Sequence, residues 1–300
     1  MQNIFRANNI PAFVICFLHM LIVYGISVAM TEDALIGIPI ALGVYILLFL
    51  ITISPVGEAV FRVFCGARRI RRADWQNKID MITTDVVSKA QNQDNTLPCN
   101  INFYYINDPI PSTLAIGRHT ICITSGLLDM SISNIKGCVA HEIGHISSYD
   151  SSITQVANVG NFFVFLLGLL FQSFYLFNNW TSRFTRRGMR SLMRNVLSFL
   201  PVAIITGIIG ITRFVLNIGY RAKEYQADLY AVRLGYGNEL HNALLAIDFD
   251  SQSGRRNLWR MLVAEHPSVH DRVGRIDEQI HSNNTPATRR RTDLYNLLNR

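Results

Sequence analysis

Charged residues are scarce in this sequence. They make up 16% of the 300 residues, and hydrophobic residues make up 49%, whereas an average soluble domain carries about 25% charged residues. The shortage is local, because long apolar stretches alternate with segments of ordinary polarity. This alternation is typical of a membrane protein that also has a soluble part.

Paired cysteines are absent. The five cysteines form no CxxC pair, and their number is odd, so the sequence excludes a disulfide framework and fits a reducing compartment. The patterns of helix-turn-helix, RNP and paired-Cys zinc proteins are also absent, so we expect no nucleic-acid partner despite a net charge of +7. The arginines cluster at 68–72 and 183–194, beside apolar segments, which indicates contact with anionic lipid or control of topology.

Four stretches are apolar enough to cross a bilayer, for which about 20 helical residues are needed. They are residues 10–30, 34–53, 156–177 and 195–212. The first has no small-x-small cleavage site after it and is interpreted as a retained anchor. A buried core helix is the alternative for any single stretch, and four of them in one chain weaken that alternative.

Flanking charges predict the orientation. The loop after the first span carries Glu32 and Asp33 and no basic residue, whereas Arg62 and the 68–72 cluster follow the second span, so residues 54–155 should be cytoplasmic. The segment 178–194 carries five arginines and no acid, which conflicts with an external position. Two full crossings and a re-entrant hairpin both remain open for the third and fourth stretches.

The remaining segments predict a soluble part of helices and short strands. A helix is expected over 73–92, strands near 101–106 and 119–124, and a helix from about 131 through His145. Residues 219–280 also have a helical pattern. The Asn- and Arg-rich tail, 282–300, is expected to be solvated.

An HExxH motif lies in the helix that ends near residue 145. Because positions four apart share one face of a helix, His141 and His145 can point their rings at one metal ion. Glu142 can then act as a general base on a zinc-bound water. A structural histidine pair is the alternative interpretation of so short a motif.

A second pair of residues four apart supplies a candidate third ligand. Glu224 and Asp228 lie on a predicted helix; Glu224 could complete the zinc site, and Asp228 could accept a hydrogen bond from a ligand histidine. The alternative is an exposed acidic pair, which would be mildly destabilising.

Together these motifs resemble the HtpX-type membrane metallopeptidases, relatives of the zinc CAAX prenyl proteases. The resemblance consists of HExxH, an apolar hairpin, the sequence R-A-K-E-Y-Q-A-D at 221–228, and a His-Pro element at 266–272. His266 and Arg272 match the last element, and Ser268 departs from its usual second proline. The piece 112–117 is similar to the family's N-A-F-A-T-G, with Ser112 in place of the asparagine.

The resemblance implies one Zn²⁺ per chain, bound by His141, His145 and Glu224, with Glu142 as the base. It implies that His266 and Arg272 stand near the site, where they help to hold the oxyanion or the Glu224 helix, and that Asp150 is structural. It also implies that strand 119–124 is an edge strand for an extended peptide. His119 itself is expected on the surface.

The expected fold is a mainly α integral membrane protein with four transmembrane helices and a small α+β zincin-like catalytic domain. The expected divisions are the first helix pair (1–54), a cytoplasmic segment with HExxH (55–155), a membrane hairpin (156–218), a helical segment with the third ligand (219–281) and a basic tail (282–300).

The expected function is that of a zinc-dependent endopeptidase in a bacterial inner membrane, with its site facing the cytoplasm. The resemblance implies unfolded or misassembled membrane proteins as substrates, in protein quality control. A narrow CAAX-type processing protease and a non-catalytic zinc-binding membrane adaptor are alternatives; the base Glu142 argues against the adaptor. Sparse polar residues in the apolar stretches argue against a transporter.

Overall fold

A computed structural model describes residues 9–182, 207, 210–212, 214, 219–251 and 268–284. The chain divides into two compact units. One, here called the sheet unit, comprises Pro55–Ser152 and the chain from Tyr220 onward; the other, the hairpin unit, comprises Asn9–Ser54 and Ile153–Gly219.

The hairpin unit begins with two antiparallel apolar helices, α1 (Ile10–Thr31) and α2 (Ala34–Ile53). Asp33 caps α2, since its carboxylate accepts the backbone N–H groups of Leu35 and Ile36. Both helices are long and apolar enough to cross a membrane, and most of their side chains are not buried within the protein. A core helix of a soluble protein would be mostly buried, so these two helices agree with the first two predicted spans.

Helix α8 (Asp150–Ser182) enters the same unit and contributes polar contacts. Asn161 Oδ1 lies 3.2 Å from His19 Nε2, and Gln155 Nε2 donates to the carbonyl of Thr52 at 3.2 Å. The predicted span 156–177 lies within α8, and 195–212 falls largely outside the described residues. Both spans remain predictions.

The sheet unit places a small sheet among helices. Its strands are β1 (Arg68–Arg69), β2 (Asn102–Ile106), β3 (Thr113–Ile116) and β4 (Thr120–Thr124). Its helices are α3 (Pro55–Phe64), α4 (Ala73–Ile82), which continues through a π-helical turn (Thr83–Val87) into α5 (Ser88–Gln93), α6 (Ser125–Leu128), α7 (Ile132–Ser147), α9 (219–233), α10 (Gly237–Ser251) and α11 (Val269–Asn284). A mainly helical chain with a small sheet is therefore confirmed.

The sheet has the order β1-β2-β4-β3, which corrects one prediction. Strand β4, predicted as the edge, lies between β2, its parallel neighbour, and β3, its antiparallel neighbour. All five of its residues are buried because both faces of the sheet are covered. The edge strand on this side is β3, which precedes β4 in a tight hairpin turned at Gly117, where φ is +60°.

The core lies between the sheet and the helices α4, α7 and α10. Alternate residues of β4, Ile121 and Ile123, point into it and pack with Ile135, Val139 and Ile143 of α7. The opposite face of the sheet carries a smaller cluster of Ile106, Ile116 and Cys122, against which Phe61 and Cys65 pack. Helix α7 is therefore enclosed along its length, and its motif residues are held rigidly.

Helix α9 approaches α7 at backbone distance because Gly144 has no side chain. A Cβ atom at Gly144 would stand 2.9 Å from Ala227 Cα and 3.1 Å from Tyr230 Cβ. The glycine at the second variable position of HExxH thus lets the Glu224 helix lie directly against the helix that carries the two histidines.

Candidate metal centre

Three side chains from α7 and α9 converge on one point. His141 and His145 lie one turn apart on α7, and their Nε2 atoms are 3.2 Å apart. Glu224, which is fully buried on α9, places Oε2 3.4 Å from His141 Nε2 and Oε1 3.2 Å from His145 Nε2. Within the described part of the chain these residues form a group with the spacing of metal ligands.

The distances between the candidate ligand atoms suit a small tetrahedral ion. Ligand atoms 2.0–2.1 Å from zinc at tetrahedral angles lie about 3.3–3.4 Å from one another. The two Nε2 atoms, 3.2 Å apart, match that spacing, and each lies 3.2–3.4 Å from one of the two Glu224 oxygens. One ligand atom from each residue lies within 4.8 Å of the others. Two imidazoles and a carboxylate are also a donor set that zinc accepts, and a three-residue set leaves a fourth position open.

Asp228 sets the tautomer of His141. Its Oδ1 lies 2.8 Å from His141 Nδ1, and both side chains are buried. If the neutral ring donates from Nδ1 to this carboxylate, Nε2 is left unprotonated on the side that faces Glu224 and His145. Asp228 thus orients a candidate ligand, one helical turn beyond Glu224.

Arg272 of α11 joins the two acids of α9. Its Nε and Nη2 donate to the two oxygens of Asp228 at 2.9 and 2.6 Å, and Nη1 lies 3.2 Å from Glu224 Oε2. Burial lowers the pKa of the guanidinium, but the two carboxylates outweigh this and raise it. Two like charges four apart on a helix would repel each other, and the buried guanidinium neutralises that repulsion.

His145 is held less tightly than His141. Its Nδ1 lies 3.7 Å from Asp150 Oδ2, beyond hydrogen-bond length, while Asp150 itself accepts a 2.6 Å hydrogen bond from Ser148 Oγ. Burial lowers the pKa of His145, but the charges of Asp150 and Glu224 outweigh it and raise the pKa to about 10. A metal ion that binds here must therefore displace a proton from this ring.

Glu142 is held by strand β3. Its Oε1 accepts the hydroxyl of Thr113 at 2.8 Å, and its Oε2 accepts the backbone N–H of Ala115 at 2.8 Å. Both hydrogen bonds come from the edge strand of the sheet. The carboxylate is thus fixed next to His141 in the helix, and it is not one of the three candidate metal ligands.

A comparison with protein-family models assigns the chain to a family. The model of peptidase family M48 matches residues 74–280, which include the HExxH helix, α9 and most of α11. The chain belongs to peptidase family M48.

Relatives of this M48 chain include HtpX homologues and a CAAX protease. "Protease HtpX homolog" of Dictyoglomus turgidum is 28% identical over 196 residues, or 58% of this chain and 62% of that one. The homologue of Tropheryma whipplei strain Twist is 24% identical over 93% of this chain and 98% of its own. "CAAX prenyl protease 1" of Saccharomyces cerevisiae is 28% identical over 49% of this chain and 35% of that one. The resemblance to HtpX-type peptidases is thereby confirmed.

The coverage differs among these similarities. The matched region spans 62% and 61% of the two Dictyoglomus relatives, so less than two thirds of their length is represented. Among solved structures, the crystal structure of S. mikatae Ste24p is similar at a TM-score of 0.49 and 19% identity, over 88% of this chain and 63% of that one.

The charges around the M48 site fit a dication. Four buried carboxylates, those of Glu142, Asp150, Glu224 and Asp228, face two buried cations, Lys223 and Arg272. Buried charges without partners are strongly unfavourable. The remaining negative charge can be balanced by protonated histidine or, once that proton is displaced, by a bound divalent ion, so the donor set and the charge are both compatible with a zinc site.

The structure places most of the predicted site residues together. His141, Glu142, His145, Glu224, Asp228 and Arg272 lie in one buried cluster of the sheet unit. His266 lies outside the described residues. Ser112 closes the β3–β4 hairpin through its backbone, since its N–H donates to Thr124 Oγ1 at 2.8 Å and its carbonyl accepts the N–H of Thr124 at 3.0 Å.

Sequence reasoning missed the groups that hold Glu142. Thr113 and Ala115 belong to the piece that resembles N-A-F-A-T-G, in which the resemblance points only to the position of Ser112. The alternation of a strand would have placed Thr113 and Ala115 on one side, so the period of two was the available signal. That the partner of this strand is Glu142 depends on tertiary packing.

Proposed function

We propose that this chain is a membrane-embedded, zinc-dependent endopeptidase that hydrolyses peptide bonds of unfolded or misassembled membrane proteins. The observation that carries the proposal is the convergence of His141, His145 and Glu224 on one point, with Glu142 fixed beside it. Membership of peptidase family M48 supports the peptidase class.

His141, His145 and Glu224 would hold the zinc ion. When bound, zinc lowers the pKa of a coordinated water and polarises the scissile carbonyl. Glu142 takes the proton of the attacking water at a carboxylate oxygen and later delivers it to the nitrogen of the leaving amine. The hydrogen bonds from Thr113 and Ala115 hold this carboxylate in position during both proton transfers.

Arg272 acts through other residues. It clamps Asp228 and Glu224, and Asp228 in turn orients His141. Its contacts in the described residues are thus with the acids that support the ligands, which makes it a positioning residue. His266 remains a proposed neighbour of the site, on the strength of the His-Pro element alone.

The substrate would bind as an extended strand along β3. An edge strand can pair with a peptide through the backbone groups on its free side, and the proposed base lies against the same strand, where it already accepts the N–H of Ala115. Only an unfolded segment can present such a backbone. The apolar helices α1 and α2 would anchor the chain in a bilayer, so membrane proteins are the favoured substrates.

The test is cleavage of casein, an unfolded protein, by the detergent-purified full chain. Activity should vanish after chelation and return with Zn²⁺, and the Glu142→Gln chain should bind zinc without cleaving. Zinc binding with no cleavage by the parent chain would instead favour the non-catalytic adaptor. Cleavage confined to prenylated C-terminal peptides would favour the CAAX-type alternative.

A further inference from the structure

Helix α3 presents two different faces. It begins at Pro55, directly after α2, and its ten residues alternate between side chains that pack on the sheet and side chains that point outward. The inward and outward faces have different chemistry.

The outward face is apolar throughout. Val56, Val60 and Val63 are 64%, 46% and 78% exposed, and Phe64 is 75% exposed. Spacings of four, three and one place these side chains on a single stripe of the helix. Charged residues of α3, Glu58 and Arg62, lie on the other face. A contiguous apolar stripe of this kind on the surface of a folded unit marks an interaction site.

The inward face is hydrogen-bonded to the hairpin between β3 and β4. Glu58 is 3% exposed, and its Oε1 accepts the backbone N–H groups of Arg118 and His119 at 2.8 and 3.2 Å. Its Oε2 accepts the hydroxyl of Thr120 at 2.9 Å. Gly117 makes room for this contact, since a Cβ there would collide with the Glu58 carboxylate.

The position of α3 in the chain identifies the partner of its outward face. Helix α2, which is apolar enough to span a bilayer, ends at Ile53, and only Ser54 separates it from α3. Ser54 is extended, with ψ at 163°, as expected before a proline, so the chain leaves the α2 helix there. Because one residue links the two helices, the first turn of α3 must begin within a few residue lengths of the end of the preceding span.

Basic residues follow α3 at once. Arg68, Arg69, Arg71 and Arg72 lie within eight residues of its end, and all four are exposed; Arg72 also pairs with the exposed Asp74. Apolar side chains on one stripe, with arginines beside them, form the combination by which helices lie in the surface of an anionic membrane.

We propose that α3 lies in the headgroup region of the membrane, with Val56, Val60 and Val63 inserted at the acyl boundary and the arginines at 68–72 on anionic headgroups. Because Glu58 ties the same helix to the turn at 117–120, the membrane surface then holds the β3–β4 hairpin. Strand β3 carries the hydrogen bonds to Glu142, so the proposed substrate edge is fixed at membrane level. This consequence rests on the proposed function, whereas the insertion of α3 does not.

The insertion is tested in the full chain, reconstituted in vesicles of phosphatidylcholine and phosphatidylglycerol. A single environment-sensitive fluorophore is attached to a cysteine at Val63 and, as the matched control, at Met81, which is 58% exposed on α4. The exposed Cys99 and the half-buried Cys16 and Cys65 are replaced, while the buried Cys122 and Cys138 are kept. Lipids with a nitroxide near the headgroup should quench the Val63 probe several-fold more than the Met81 probe.

Three outcomes would overturn the proposal. Equal quenching at both positions, or strong quenching of the Val63 probe by aqueous iodide, would place α3 in water. Protection from iodide without lipid quenching, lost when the protein is diluted in lipid, would assign the stripe to a second copy of the chain. If labelling disturbs folding, bromine-lipid quenching of tryptophan in Val63→Trp, measured against Met81→Trp, gives the same comparison.

An activity measurement separates this proposal from the proposed function. Val63→Glu should leave casein cleavage in detergent unchanged and should lower cleavage of a membrane-anchored peptide in vesicles several-fold. Met81→Glu should change neither. Lipid quenching at Val63 in a chain without peptidase activity would support the insertion and overturn only the proposed function.

Discussion

The two sides of α7 hold their groups by different means. On the side of α9 and α11, charged side chains hold charged side chains, as Arg272 joins Asp228 and Glu224, and Asp228 orients His141. On the side of β3, a neutral hydroxyl and a backbone N–H hold Glu142. The helix side therefore governs whether the metal binds, whereas the strand side governs how the bound site acts.

Substitutions of Glu142 and Glu224 should distinguish the two sides of α7 most clearly. Glu142→Gln should lower kcat by about 10²–10⁴ as a lost general base, with zinc content unchanged. Glu224→Ala should lose both activity and zinc, since it removes one of three ligands. Casein assays combined with zinc analysis after dialysis check both. Zinc retained in full by Glu224→Ala would show that the helix side does not bind the metal.

The ion pairs of the helix side should also dominate stability. Arg272→Met leaves Asp228 and Glu224 buried without their cation, and breaking a buried pair costs about 3–5 kcal/mol. Arg275→Met is the matched control, because Arg275 lies one turn away on α11, is exposed, and stacks on Tyr225 at 3.9 Å. Stacking at an exposed site contributes about 0.5–1 kcal/mol. Thermal unfolding in detergent of the metal-free chains compares them, and equal midpoints would contradict the clamp.

The two histidines allow a finer test within the helix side. Asp228→Asn should weaken zinc binding by about 10- to 100-fold, as for other partners of metal ligands. Asp150→Asn should weaken it less, because its carboxylate stands 3.7 Å from His145 Nδ1, whereas Asp228 lies 2.8 Å from His141 Nδ1. Competition with a chelator at constant pH measures both. The reverse order would show that Asp150 approaches His145 when zinc is bound.

The smallest effect belongs to the strand side. Thr113→Val keeps the shape of the side chain and removes one hydrogen bond to Glu142, a contribution of about 1.5–3 kcal/mol for a charged acceptor. Part of this is recovered from water, so kcat should fall by roughly tenfold or less while zinc affinity stays constant. Thr113→Ser should restore the rate. A loss of zinc in Thr113→Val would remove the distinction between the two sides.

The sequence predicted the helix side better than the strand side, for physical reasons. The pairs His141–His145 and Glu224–Asp228 follow from the helical period, which is local. The order of the sheet depends on contacts between distant residues, and β3 is only four residues long, so the wrong strand was assigned to the edge. The approach of Asp150 to His145 follows a left-handed Tyr149, with φ of 63°, a conformation that its sequence does not indicate.

The backbone contact at Gly144 has a consequence for which ions the site can distinguish. With α7 and α9 in direct contact there, the backbones that carry the three donors stand close together, and moving them apart would require two packed helices to separate. Ions such as Co²⁺, which bind imidazole at distances close to those of zinc, would fit between the same three donors. Calcium binds at 2.3–2.6 Å, so tetrahedrally placed donors would need to stand about 3.9 Å apart, and it also prefers more oxygen ligands. The close helix packing that Gly144 permits thus favours small ions such as zinc over the larger calcium ion.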